Sequence, residues 1–155
     1  MLTADEQKIL AMLRQNSRAS LADMSRHSGI PTTTLFTKIR KLEGQMIKKH
    51  VTLLDFQKLN FGIRVNFIIK LADKHNSGFP EWVQQQKDVN SFFKINNGYD
   101  YLIDAIFSNM ADMALFSDSL EEHGLLECHV HHITEEVKHE GFMADPAFKL
   151  LNSDK

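Results

Sequence analysis

The sequence predicts an α+β protein in two parts. The first is an N-terminal three-helix helix-turn-helix domain, and the second a C-terminal ferredoxin-like βαββαβ domain. Three observations carry this. Apolar residues recur at helical spacing in the first third and at strand spacing from Gly62 onward. The segments after Gly62 follow the order β-α-β-β-α-β, the split βαβ unit. Charge divides the same way: residues 1–50 hold nine Lys/Arg and four Asp/Glu, a net +5, while residues 51–155 hold nine and sixteen, a net −7. A basic head on an acidic body points to a polyanion partner for the head and another task for the body.

The first helix opens at Thr3. Thr3 and Glu6 have the T-x-x-E form of a capping box, in which each side chain meets the other's backbone N–H. Ile9, Leu10 and Leu13 then make an apolar face. Gln15 to Ala19 is polar and reads as a turn. Ser20, followed by Asp23, opens a second helix carrying Leu21 and Met24. Gly29 ends it, because glycine takes the left-handed conformation of a helix exit at little steric cost.

Pro31 and Thr32, Thr33, Thr34 open the third helix. Leu35, Ile39 and Leu42 fall on one face, with Thr34, Thr37, Lys38 and Lys41 opposite. Such a helix fits a DNA major groove. The expected DNA-binding residues are Ser20, Thr32, Thr33, Thr34, Thr37, Lys38, Arg40 and Lys41. Thr33, Thr34, Thr37 and Lys38 are expected at base edges, and Arg40 and Lys41 at phosphates. Phe36, beside the apolar seam, reads as core. Met46 and Ile47 read as closing the small core, which sets this domain at residues 1–50.

Residues 51–62 read as a linker with one strand, His50 to Leu54 being β-prone. The body is expected over 63–141. Its first strand alternates Val65, Phe67, Ile69 and Leu71 with Arg64, Asn66 and Lys70. A helix over Pro80–Lys87 is anchored by Trp82 and Val83, with proline at a favoured first position. Strands follow over Val89–Ile95 and Tyr99–Phe107, joined at Asn97-Gly98, a pair that tolerates the positive φ of a type I′ turn. A helix over Met110–Glu122 and a strand over Leu125–Val137 complete the unit. Ile68, Phe92, Leu102 and Ile106 make the helix-free sheet face partly apolar, and self-association is its simplest cover. Residues 142–155 read as a tail. Asp145-Pro146 resembles a helix start, with Phe148, Leu150 and Leu151 placed to dock.

No apolar run reaches membrane-spanning length, no membrane partner is expected, and the first residues lack a secretory pattern. Cys128 is the only cysteine, so no internal disulfide forms and a reducing cytoplasm is the expected compartment.

Motifs over residues 2–140 resemble the leucine-responsive/asparagine (Lrp/AsnC, feast/famine) family of prokaryotic regulators. They are Leu2-Thr3-Ala4-Asp5-Glu6-Gln7-Lys8-Ile9-Leu10, Arg18-Ala19-Ser20, Gly29-Ile30-Pro31, Ile39-Arg40-Lys41-Leu42-Glu43, Leu53-Leu54-Asp55, Leu59-Asn60-Phe61-Gly62, Tyr99-Asp100-Tyr101-Leu102 and Glu136-Val137-Lys138. The resemblance implies a winged helix-turn-helix, a body of the RAM type, and a homodimer with higher assemblies common. It also implies promoter double-stranded DNA as partner, and an amino acid or other small effector at a subunit interface near the turn joining strands two and three. Asn97, Gly98, Tyr99 and Asp100 are then the effector-binding candidates. Turn amides can meet a carboxylate, and Asp100 an α-amino group. The family's Gly-x-x-Asp stands here as Asn97-Gly98-Tyr99-Asp100, its Ser-Pro as Pro31-Thr32, and Gly44 comes early.

His129 and His131 share a strand face, with Cys128, His123, His132 and His139 nearby, but no second ligand cluster completes a metal spacing. No nucleophile elbow, phosphate loop or paired-carboxylate motif appears. Neither catalytic nor metal residues nor a cofactor are expected. The rival reading is a tetrapyrrole- or metal-binding enzyme or sensor on the same two-domain architecture, which the basic head disfavours.

Overall fold

A computed structural model describes residues 2–73 and 78–145. The chain forms two compact units, one of residues Met1–Leu53 with Val137–Lys155 and the other Leu54–Glu136.

The first unit holds α1 (Ala4–Gln15), α2 (Leu21–Ser28) and α3 (Thr32–Gln45). Thr3 closes the expected capping box with Glu6. The Ser20 hydroxyl accepts the Asp23 N–H, and Gly29 closes α2 at φ 74°. Pro31 is the N-cap of α3 without any side-chain cap, and α3 runs on through Gly44. Ile9, Met24, Ile30, Leu35 and Leu42 are buried together, with Leu10, Leu13, Ile39 and Ile47 packed around them. Met46, expected in this core, is exposed.

The chain returns to this unit after Glu136. Arg14 donates to the carbonyls of Glu140 and Phe142, at 2.7 and 3.1 Å, and pairs with the Glu140 carboxylate. Gln15 donates to the Ala144 carbonyl. The body therefore stops at Glu136 rather than at 141. The expected terminal helix after Pro146 lies outside the described residues.

The second unit holds β1 (Ile63–Leu71), α4 (Gly78–Gln85), β2 (Val89–Lys94), β3 (Tyr101–Phe107), α5 (Met110–Glu121) and β4 (Leu125–His132). All sheet pairs are antiparallel, in the order β2-β3-β1-β4. Val65, Phe67, Ile69 and Leu71 turn to the helices and pack with Ile103, Ala105, Phe107, Phe79, Val83, Phe116 and Leu120. Rings dominate this core: Phe67 meets Phe116 at 5.3 Å and Phe107 at 6.5 Å between centroids.

Two strand expectations need correction. Phe92 faces the core, opposite Ile103, while Phe93 lies opposite Leu102 on the helix-free face. A register shift between Val89 and Ser91 reverses the alternation that sequence spacing implies. Residues 50–54 form no strand; the only helical turn in the linker is a 3-10 turn at Gln57–Leu59. A strand exists only as part of a ladder, and these residues have no neighbouring strand in the described residues.

Candidate nucleic-acid interface and effector site

Helix α3 is fixed by its inner seam. Leu35 and Leu42 are buried and Ile39 half-buried. Residues spaced three and four apart on the opposite side, Thr33, Phe36, Thr37 and Arg40, are all exposed, with Thr32 before them. Thr34 is half-buried. The Thr37 hydroxyl donates to the Thr33 carbonyl at 3.0 Å, which leaves the lone pairs of its oxygen to accept. Phe36, read from sequence as core, is 53% exposed, and the Arg40 guanidinium lies over its ring at 5.5 Å.

The lysines of α3 sit differently. Lys38 pairs with Asp5 at 3.0 Å and Lys41 with Glu6 at 2.9 Å, both acids belonging to the first turn of α1. Both ammonium groups are thereby drawn toward α1 and away from the outer stripe. The Lys41 hydrogen bond, together with the Thr3 N–H, lowers the Glu6 pKa to about 2. Ser20 is engaged too: its hydroxyl donates to the Asp23 carboxylate at 2.6 Å, which lowers the Asp23 pKa.

Glu6 thus joins a cap to an interhelical ion pair. Its folded pKa lies below its unfolded value near 4.5. Its stabilisation is therefore present above pH 4.5 and lost as pH falls toward 2. Glu6→Gln keeps an acceptor for the Thr3 N–H and is expected to cost about 1–2 kcal/mol at neutral pH, the range of the lost charge-assisted hydrogen bond to Lys41. Urea unfolding across pH should show a shallower acid-side slope for the variant than for wild type.

In the body, Asn97 at φ 64° and Gly98 at φ 93° make the expected turn between β2 and β3, closed by the Ile95 N–H donating to the Asp100 carbonyl. Only glycine takes such φ values freely, and asparagine tolerates them best among the rest. The Asp100 carboxylate accepts the Leu71 N–H at 2.9 Å, while the Asp100 N–H donates to the Ile69 carbonyl. Asp100 thus continues the β1 hydrogen bonding where β3 begins, and one oxygen is already engaged. Tyr99 points elsewhere. Its hydroxyl meets His129 Nε2 at 2.9 Å and Glu127 at 3.4 Å, and Glu127 pairs with Lys70 at 2.8 Å. Lys70 lowers the Glu127 pKa, and Glu127 raises that of Lys70.

The four expected effector residues therefore cluster at one turn, with Asn97 and Gly98 exposed and Tyr99 and Asp100 half-buried. Sequence reading missed Lys70 and Glu127, whose part here depends on the β1–β4 register. The stacking of His129 on His131, at 6.5 Å, was legible as two same-face residues of one strand. Among the described residues no three His, Cys, Asp or Glu groups are placed to hold a metal ion, and no helix is long and apolar enough to cross a membrane.

A family model described as winged helix-turn-helix DNA-binding matches residues 6–44. The chain is 30% identical over 148 residues to the uncharacterized HTH-type transcriptional regulator YugG of Bacillus subtilis, covering 90% of this chain and 89% of that protein. A crystal structure of an AsnC family transcriptional regulator from Agrobacterium tumefaciens is similar at TM-score 0.79 and 25% identity, covering 90% of this chain and 94% of that one. The regulator NMB0573 from Neisseria meningitidis, solved as a complex with L-Met, shares the fold at TM-score 0.83 and 24% identity, over the same shares of the two chains. These likenesses span both units: the chain belongs to the Lrp/AsnC family of DNA-binding transcriptional regulators, whose members named above are regulators rather than enzymes.

Proposed function

We propose that the protein binds promoter DNA sequence-specifically as a homodimer, and that an amino acid at the β2–β3 turn tunes this binding. The observation that carries the DNA part is the outer stripe of α3. Thr33, Thr37 and Arg40 are exposed together, with hydroxyl, methyl and guanidinium groups that match base edges and phosphates. Thr32 and Ser20 flank the stripe. Lys41 stands at its rim and reaches a phosphate only by releasing Glu6; Lys38 is held by Asp5 in the same way.

The helix-free face of the sheet supports the dimer. Ile68, Leu102 and Phe93 give it an apolar surface around the Arg64–Asp104 pair, while Ile106 on the same face is already buried within the chain. A second copy covers that face with matching groups, and twofold symmetry then presents two recognition helices to two half-sites. Sedimentation at micromolar concentration should give a dimer or larger; a monomer contradicts this part.

The effector part rests on the turn. The amides of the exposed Asn97 and Gly98 suit a carboxylate and the remaining Asp100 oxygen an ammonium, while the Tyr99 ring, its hydroxyl held by His129 and Glu127, is left to serve as an apolar wall. The L-Met complex of the Neisseria regulator makes apolar amino acids the first to try. Calorimetry with the amino acids singly should give binding heat with wild type and at least tenfold weaker binding with Asp100→Ala. Unchanged heat in the variant rejects the site. A bound effector must change DNA affinity by the factor by which DNA changes effector affinity.

A further inference from the structure

Phe36 is the largest apolar side chain on the outer stripe of α3. The buried core beneath it, with Ile9, Leu35 and Leu42 at 0–1% exposure, is complete without it. Single exposed apolar residues are ordinary and need no explanation. Phe36 differs in its setting. It stands between Thr33 and Arg40 at helical spacing, and the Arg40 guanidinium lies over its ring at 5.5 Å.

A phenyl ring offers no hydrogen bond to a base. The major groove presents one apolar group, the C5-methyl of thymine. Arginine in turn reads guanine bidentately through O6 and N7, and a guanidinium restrained on an aromatic face loses less freedom in doing so.

We infer that Phe36 and Arg40 form a composite base-reading site, in which the Phe36 ring takes a thymine methyl and holds Arg40 over a neighbouring guanine. This rests on the DNA-binding reading above and moves Arg40 from the phosphate role expected of it to a base edge. Phe36 plays two roles that separate by substitution. Phe36→Ala removes the methyl contact and the stacking surface together. Phe36→Leu keeps an apolar group for the methyl and removes only the stacking surface.

The test uses the full chain and a random duplex DNA pool, selected in parallel by wild type, Phe36→Ala and Phe36→Leu. Circular dichroism checks that each variant keeps its helices. Wild type should enrich sites with a thymine beside a guanine in each half-site. Resynthesis of that site with uracil for the thymine deletes only the methyl. Wild-type affinity should then fall about fourfold per methyl, the factor for one buried methyl-sized group. Phe36→Ala should bind the thymine and uracil duplexes equally. Phe36→Leu should keep the thymine preference and lose much of the guanine preference. Equal wild-type binding to thymine and uracil duplexes at every position overturns the inference while leaving DNA binding intact. Failure of wild type to enrich any sequence overturns the sequence-specific reading itself, and this inference with it. A Phe36→Ala protein that still loses affinity with uracil assigns the methyl contact to another residue and overturns the inference.

Discussion

Replacing Thr37 with glutamate should lower affinity for a selected operator duplex at least a hundredfold. Thr37 lies mid-stripe on α3, flanked by Thr33 and Arg40, and is exposed. A carboxylate there meets phosphates and base acceptors, and like charges forced together cost several kcal/mol. The folded head has no reason to change. Among the described residues Thr37 hydrogen-bonds to the Thr33 carbonyl one turn back, and glutamate is a better helix former than threonine. Fluorescence anisotropy of a labelled duplex measures the affinity, and circular dichroism checks the fold. Binding within threefold of wild type removes α3's outer stripe from the interface.

The second large effect is on stability. Arg64→Ala should destabilise the body by about 3–5 kcal/mol, the cost of stranding a buried charge. Asp104 is 6% exposed. It accepts from Arg64 at 2.8 and 3.0 Å and from Asn90 at 2.7 Å, while Arg64 also donates to Glu136. Asp104 raises the Arg64 pKa, so the guanidinium keeps its charge. The double variant Arg64→Met/Asp104→Leu should recover most of the loss, because removing both charges strands neither. Urea unfolding of wild type and both variants makes the comparison. An Arg64→Ala loss below about 1 kcal/mol would mean that water already solvates Asp104.

The parts of this protein that sequence revealed are those that local chemistry decides. Thr3 and Glu6, Ser20 and Gly29, and Asn97-Gly98 each act on backbone groups within a few residues, so their spacing carried the elements and the turn. The inward rows Val65 to Leu71 and Leu35 to Leu42 were legible because one side of each element is buried. What sequence concealed depends on tertiary partners. Helical spacing alone turns Lys38 and Lys41 outward, because nothing near them in sequence announces Asp5 and Glu6 on α1. Phe36 adjoins the seam on the helix, and only the filled core beneath shows that it is left outside. The exchange of Phe92 and Phe93 follows from one extra residue in β2. The link of Tyr99 to Glu127 and His129 needs the register of β4, and the contacts of Arg14 with residues 140 and 142 cross nearly the whole chain.

On the reading proposed above, the outer face of α3 recognises particular DNA sequences. Footprinting of the purified full chain on fragmented DNA of its own genome tests it most directly, with wild type and Thr37→Glu run side by side. Wild type should protect a limited set of promoter sites sharing a twofold sequence, and Thr37→Glu should protect none. Protection of the same sites by both proteins, or no reproducible site for wild type, contradicts it.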